Sequence, residues 1–348
     1  MKMAEINEII PLGFPSEKIV SPRAWNKNSN LGKIVHEFSR ETSEEVKAYV
    51  QLQVPKKPLT REDIESVDYN PNKLPSLANE IECVRPQVND GIGFVVFPEW
   101  SNLNVHESRV ASWLVASAFG EPKIQDDLAS RLIEIYCVSD DLSMKTGARY
   151  HVTREGNSPH TDAPQVKEDP DYLCLRCVSD GLVGGENVLV TADSIYNHLL
   201  ENAPGLIKIL ASDFIFHHRG VKQEDGIQFF SAPIMSMEDG SIRLRFLDHY
   251  INEGHKLAGT PVTTEQKRGI QYLDSLFEQS DLQFRARLSP GQQVVFANKR
   301  MLHSRTEFLD VNPPREFYDP AQLDDLDTAN RLMDRTWSYK RETYGEKA

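Results

Sequence analysis

The spacing of apolar positions changes along the chain. In the N-terminal third it follows a helical period. Thr42-Ser43-Glu44-Glu45 reads as a capping box, in which the threonine hydroxyl accepts from the helix backbone while Glu45 reaches back. Val46, Tyr49 and Val50 then fall on one helical face. Residues 52–92 carry Pro55, Pro58, Pro71, Pro75 and Pro86 and are expected to be irregular. A second helix is expected from Asn104, with Glu107 three residues on, Val110, Trp113 and Leu114 buried, and Gly120 ending it.

From about residue 130 the period shortens to that of strands. Leu132 to Val138, Tyr172 to Val178, Asn187 to Thr191 and Phe214 to His217 are short runs rich in β-branched or aromatic residues. Ile242, Leu244 and Phe246 alternate with Arg243 and Arg245. Leu282, Phe284, Ala286 and Leu288 alternate with Gln283, Arg285 and Arg287. Two helices are expected between strands. One follows Asp193 and stops before Pro204. The other begins with the capping box Thr263 to Gln266 and carries Ile270, Leu273 and Phe277.

Short strands with helices before and between them predict a mainly β fold with flanking α, a double-sheet jelly roll under helical cover. No βαβ repetition or Gly-rich phosphate loop supports a doubly wound sheet. We read residues 1–348 as a single domain. Residues 1–90 form a helical and irregular cover, and residues 91–340 a jelly-roll core with insertions.

Composition narrows the function. A net charge of −13 repels phosphate backbones, which argues against nucleic acid or an anionic membrane as partner. A few local arginines can still reverse the field inside a pocket, so a small anionic substrate fits. MKMAEINEIIPLGF lacks the apolar core of a signal peptide, and no stretch approaches a transmembrane span. Cys83, Cys137, Cys174 and Cys177 are too scattered for a disulfide framework, and a reducing cytoplasm is the expected compartment. Cys174 and Cys177 form a C-x-x-C whose thiols point to opposite faces of a strand, so they read as core residues rather than zinc ligands.

The first chemical signal is Ser158-Pro159-His160-Thr161-Asp162-Ala163-Pro164. In a strand, residues two apart share a side, so His160 and Asp162 can meet one metal. H-x-D alone is a common chance pattern, and its weight comes from context. Downstream, Pro290-Gly291 makes a turn, an apolar strand follows, and His303 lies just beyond it. Two imidazoles and one carboxylate on one face leave coordination positions open, the arrangement of non-haem iron(II) oxygenases.

With these motifs the sequence resembles the iron(II)/2-oxoglutarate dioxygenases of the taurine dioxygenase and clavaminate synthase-like superfamily. The resemblance covers roughly residues 90–340. It is specific at the H-T-D strand, at the G-G-E-N turn Gly184 to Asn187, and at the P-G…N-K-R…H-S-R segment ending at Arg305. It implies a double-stranded β-helix of cupin-like form, with Fe(II), 2-oxoglutarate and O2 as cofactor and cosubstrates. His160, Asp162 and His303 would be the metal ligands and catalytic centre. The family places an arginine after the distal histidine to hold the far carboxylate of 2-oxoglutarate, and often a second four residues on for an acidic group of the substrate. Arg331 and Arg335 match that pair. The gap of 28 residues from His303 to Arg331 is roughly twice the family's, and looks like a loop insertion with Pro313, Pro314, Pro320 and the acidic run Asp324 to Asp327. Arg315 is closer in count and is the rival for the cosubstrate; Arg331 is preferred because the spacing-four pair recurs only there. Asn187 occupies the place of a threonine that touches 2-oxoglutarate in relatives, and an amide can make the same hydrogen bond.

The resemblance further implies oxidation of a small substrate: hydroxylation of an unactivated C–H bond, with desaturation or cyclisation as the alternative outcomes. Amino-acid hydroxylases of this group place an acid against a cationic side chain. The strand Arg243 to Asp248 looks like that region, so Asp248, assisted by Glu134, would read a guanidinium or ammonium. A free basic amino acid such as arginine or lysine is the expected substrate. A non-catalytic metal-binding β-barrel is the alternative of another class. His151, His217, His218 and His249 read as structural, and Arg305 as a partner of a nearby carboxylate.

Overall fold

The structure is a computed structural model. It describes residues 9–341 apart from 56, 144–145, 220–225, 315–319, 321–322 and 324–329. Arg315 and the acidic run Asp324 to Asp327 lie outside the described residues.

Helices α1 (Arg40–Gln53), α2 (Arg61–Glu65) and α3 (Pro75–Asn89) precede strand β1 (Phe94–Phe97). The N-cap of α1 is Ser39, whose side chain accepts from the Thr42 backbone. The expected capping box at Thr42 is therefore displaced by one turn. Glu45 instead accepts from the backbone N–H groups of Ser76 and Leu77, and so caps the start of α3. That α3 is a helix corrects the irregular reading of residues 52–92. Pro75 sits in its first turn, where a missing N–H costs nothing, and Leu77, Ile81, Val84 and Val88 form its buried stripe. Helix α4 (Val105–Phe119) has the expected Asn104–Glu107 capping box and ends at Gly120.

The strands that follow are β2 (Glu121–Pro122), β3 (Leu132–Ile135), β4 (Tyr172–Ser179), β5 (Val183–Gly184) and β6 (Asn187–Thr191). Helices α5 (Ala192–Asn202) and α6 (Pro204–Leu210) lead to β7 (Asp213–His217), β8 (Phe229–Pro233), β9 (Met235–Glu238) and β10 (Ser241–Leu244). The alternation at 242–246 stops at Leu247, and Asp248–Leu257 is helix α7, not the expected strand end. Helix α8 (Thr264–Phe277) carries the expected Thr263–Gln266 box. Strands β11 (Phe284–Ala286), β12 (Gln293–Ala297), β13 (Met301–Arg305), β14 (Phe308–Leu309) and β15 (Leu332–Tyr339) complete the chain. Among the described residues no helix is long and apolar enough to cross a membrane.

Two sheets face each other, as a jelly roll requires. The major sheet has the order β1-β12-β4-β15-β2, with β3 also paired to β15. The minor sheet is β11-β6-β13. Non-consecutive, antiparallel neighbours such as β4 between β12 and β15 bring distant segments side by side. Phe94, Val96, Leu173, Leu175, Val294, Phe296 and Met333 point between the sheets. Their alternating neighbours Val95, Phe97, Tyr172, Cys174 and Val295 pack outward against α1, α3 and α4. Cys174 and Cys177 thus face opposite sides of β4, and burial pushes both thiols up to about 12. On the other flank Val188, Val190 and Leu302 pack with α5, α6 and α8. Each fully buried apolar side chain of this kind contributes about 1.5–3 kcal/mol. Buried on both faces, the sheets make a rigid frame whose open end carries the polar residues described next.

Candidate metal centre and cavity

His160 and His303 are direct partners across an antiparallel bridge. His160 N donates to His303 O at 3.0 Å, and His303 N to His160 O at 2.9 Å. Directly opposed residues project to the same side, and their rings lie 4.2 Å apart between centroids. Asp162, two residues on, shares that side, while Thr161 points away and receives the Phe246 backbone N–H. Ligand atoms of the three side chains lie within 4.8 Å of one another, all buried. His160 Nδ1 lies 2.8 Å from Ser158 O. Because a carbonyl only accepts, Nδ1 carries the proton and Nε2 keeps its lone pair for a metal. Nε2 of His160 and of His303 lie 3.4 and 3.5 Å from Asp162 Oδ1.

Electrostatics agree with the geometry. Asp162 is held well below the usual carboxylate range: burial opposes this, but Arg335 and the two histidines outweigh it. Burial, with His160 beside it, pushes His303 down to about 4, so its imidazole stays neutral at pH 7. A carboxylate and two imidazoles whose ligand atoms converge beside a cavity fit a divalent metal. The donor set is that of a non-haem iron site.

Two side chains without an expected role hold Asp162 in place. Asn298, fully buried, accepts from Asp162 N at 2.8 Å and donates to Asp162 O at 3.0 Å and Pro170 O at 3.1 Å. Trp337 Nε1 donates to Asp162 Oδ2 at 2.6 Å. Asn298 belongs to the N-K-R segment, and Trp337 follows Arg335 by two, so both lie in motifs already singled out.

The triad opens into a cavity of about 340 Å³. Arg331 lines it, buried, with its Nη1 lacking any hydrogen-bond partner among the described residues and its guanidinium 4.9 Å from the Phe308 ring centre. Desolvation lowers its pKa. Asn187 lines the same cavity, and its Nδ2 is likewise buried without a partner. The G-G-E-N turn makes the space. Gly185 has φ +73°, and a Cβ there would lie 2.8 Å from Arg331 Nε. An unpaired guanidinium and an unpaired amide donor in one cavity fit a carboxylate ligand. Arg335 is also in the lining. It lies 3.3 Å from Asp162 Oδ2 and donates to Gln125 Oε1 at 3.0 Å. Asp248 lines the cavity from the start of α7, one oxygen accepting from Asn252 at 2.6 Å.

Two expectations are corrected. Glu134 does not reach the cavity. In the β3–β15 ladder it lies opposite Asp334, on the reverse face, where Arg109 donates to both carboxylates at 2.7 Å. Among the described residues Arg305 forms no ion pair with a carboxylate; its Nη2 donates to the carbonyls of Thr153 and Glu155 while its guanidinium lies 4.9 Å from the Phe308 ring centre. His151 and His249, read as structural, both line the cavity, as do Arg149, Arg219 and Tyr250. Their polarity gave no periodic signal, because they sit on irregular or terminal segments. His218, by contrast, is structural: it hydrogen-bonds Gln165 O at 2.8 Å and stacks on Phe230.

Comparison with known proteins decides the family. A model of the taurine catabolism dioxygenase TauD, TfdA family matches residues 56–319. The chain belongs to that family. It thereby stands among the non-haem iron dioxygenases that use 2-oxoglutarate, as its triad and cavity suit. The match includes the whole triad and ends before Arg331 and Arg335. FR-33289 synthase of Streptomyces rubellomurinus (strain ATCC 31215) is 24% identical over 232 residues, 66% of this chain and 66% of that protein. The chain therefore matches slightly under two thirds of that relative's length. Among solved structures, asparagine oxygenase bound to Fe(II), 2S,3S-3-hydroxyasparagine and succinate aligns with a TM-score of 0.62 and 14% identity, over 88% of this chain and 94% of that one. The non-heme iron oxygenase OrfP with Fe and alpha-ketoglutaric acid aligns at 0.57 and 12%, over 89% and 95%. At such identity these two likenesses establish the double-stranded β-helix fold.

Proposed function

We propose that this protein is an iron(II)- and 2-oxoglutarate-dependent oxygenase that hydroxylates an unactivated C–H bond of a small free amino acid. The observation that carries the reading is the meeting, in one cavity, of the His160–Asp162–His303 donor set and the unpaired guanidinium of Arg331. Iron with 2-oxoglutarate and dioxygen supplies the oxidising chemistry when bound, releasing succinate and carbon dioxide. The protein's part is position and exclusion of water. His160, Asp162 and His303 hold the metal. Arg331 takes the far carboxylate of 2-oxoglutarate, with the Asn187 amide as a second donor. Arg335, 3.3 Å from Asp162 Oδ2 and in the lining, would take the substrate carboxylate. A cavity of about 340 Å³ suits a molecule of amino-acid size rather than a polymer. Asparagine oxygenase and OrfP, in their structures with hydroxyasparagine and with (3S)-hydroxy-L-Arg, support an amino acid as the class of substrate.

A second reading concerns the side chain. The sequence pointed to arginine or lysine through Asp248 and Glu134. With Glu134 behind the sheet, Asp248 is the carboxylate left, and burial raises its pKa. Arg149 and Arg219 share the same lining. An uncharged or acidic side chain meets that lining with less repulsion than a cationic one. Succinate release, measured against a panel of basic, amide, acidic and apolar amino acids, tests both readings. Turnover with arginine or lysine alone would restore the basic reading. Failure of all amino acids to stimulate succinate release would remove the substrate class.

A further inference from the structure

The two oxygens of Asp162 are treated differently. Oδ1 faces the Nε2 atoms of His160 and His303 at 3.4 and 3.5 Å. Oδ2 is turned away, 2.6 Å from Trp337 Nε1 and 3.3 Å from Arg335 Nη1. The backbone of Asp162 is pinned by Asn298 on both its N–H and its carbonyl. What remains free is rotation of the carboxylate about its last bond, and the indole N–H opposes it.

The two groups beside Oδ2, a hydrogen-bond donor and an ion-pair partner, are not equivalent. Arg335 is a long side chain shared with Gln125 and exposed to the cavity, where substrate can draw on it. Trp337 is buried between the sheets on β15, its ring packed in the same apolar cluster as Leu173, Leu175 and Phe296. An indole is a donor only, so its bond to an oxygen cannot reverse. A carboxylate with both oxygens free can chelate one metal twice, and doing so fills a position that cosubstrate or dioxygen needs.

We propose that Trp337 is a positioning residue that keeps Asp162 a one-oxygen ligand and so preserves an open position on the metal. This rests on the iron reading of the triad. It also gives the chain a reason for an indole, rather than any apolar side chain, at this place in the sheet. Outer-shell partners of metal ligands of this kind typically change metal affinity 10- to 100-fold when removed.

The test uses the apoprotein loaded anaerobically with Co(II), read by calorimetry and by the visible spectrum of the bound ion. Wild type binds Co(II) in the triad; if it does not, the metal reading itself fails, independently of Trp337. Trp337→Phe is expected to shift the visible spectrum toward a weaker, more highly coordinated form and to change Co(II) affinity about 10–100-fold, while the apoprotein stays folded. Trp113→Phe is the control. It also loses a buried indole hydrogen bond, to Val67 O at 2.9 Å, but far from the triad, and Co(II) affinity should not change. Wild-type affinity and spectrum in Trp337→Phe, or an equal change in the control, would overturn the proposal. If Trp337→Phe does not fold, benzothienylalanine at position 337 replaces only the N–H by sulfur and keeps the packing. The same spectral shift is expected there, and a wild-type spectrum and affinity overturn the proposal.

Discussion

The two faces of β15 bury arginines in opposite ways. On the outward face Asp334 meets Arg109, whose Nε and Nη2 bind the two carboxylate oxygens at 2.8 and 2.7 Å, while Nη2 also reaches Glu134. On the cavity side Arg331, one residue before the strand, is equally buried, yet its Nη1 has no partner among the described residues and its guanidinium rests on Phe308. Along β15 alternation turns Asp334 outward and its neighbour Arg335 into the cavity that Arg331 also lines. A buried charge whose partners come with the chain holds the fold together. A buried charge left without one is an open cost of several kcal/mol, offset only when a ligand brings the missing anion. Arg109 is therefore structure, and Arg331 is the residue proposed to receive the ligand carboxylate.

Removing each arginine should break this contrast most clearly. Arg331→Met is expected to weaken 2-oxoglutarate binding by about 3–5 kcal/mol, a factor of hundreds or more, because the ligand carboxylate loses its buried partner. The same variant should melt no lower than wild type without ligand, since it relieves an unpaired buried charge. Equilibrium dialysis and thermal melting read the two effects. Arg109→Met should do the reverse. It strands Asp334 and Glu134 in the interior and costs about 3–5 kcal/mol of stability by denaturant titration, while the folded fraction still binds 2-oxoglutarate. A smaller change comes from Gly185→Ala. Its φ of +73° and the closeness of Arg331 Nε give an expected cost of about 1–2 kcal/mol, with roughly tenfold weaker 2-oxoglutarate binding in dialysis.

The remaining effect is pH-linked and develops only in acid. Burial, with Arg335 and Arg149 nearby, pushes His151 down to about 3. The unfolded chain protonates this histidine near its ordinary value of 6.5, and the folded chain only near 3. Below pH 6.5 the unfolded state therefore binds more protons. The contribution of His151 to stability is complete above pH 6.5 and is lost as pH falls toward 3. His151→Gln should flatten the apoprotein's melting temperature against pH over that range, measured by circular dichroism.

How much of this was legible in the sequence depended on whether a signal was local. The H-x-D spacing, the Pro290-Gly291 turn before a strand and the His303 beyond it lie within single segments, and the strand Asn187–Thr191 was placed to the residue. The boxes at Asn104 and Thr263 were readable because capping is a matter of four consecutive residues. Glu45 was not, because it caps a helix 31 residues away. Glu134 was misplaced for a similar reason. Pattern shows that neighbours alternate, but which alternate faces the cavity is set by pairing with β15. Arg315 was a rival on residue count alone and lies outside the described residues. The roles of Asn298 and Trp337 appear only when β12, β15 and the H-T-D segment come together, through contacts that span more than 130 positions.

The central claim is that one cavity binds iron through His160, Asp162 and His303, and 2-oxoglutarate through Arg331. An anaerobic titration of Fe(II) and then 2-oxoglutarate, followed by visible absorption, tests it most directly. The wild type should develop a weak charge-transfer band that saturates with 2-oxoglutarate. His160→Ala should show no band and no bound iron, and Arg331→Met should reach the band only at far higher 2-oxoglutarate. A His160→Ala protein with full iron content, the same band and undiminished succinate production would contradict the account.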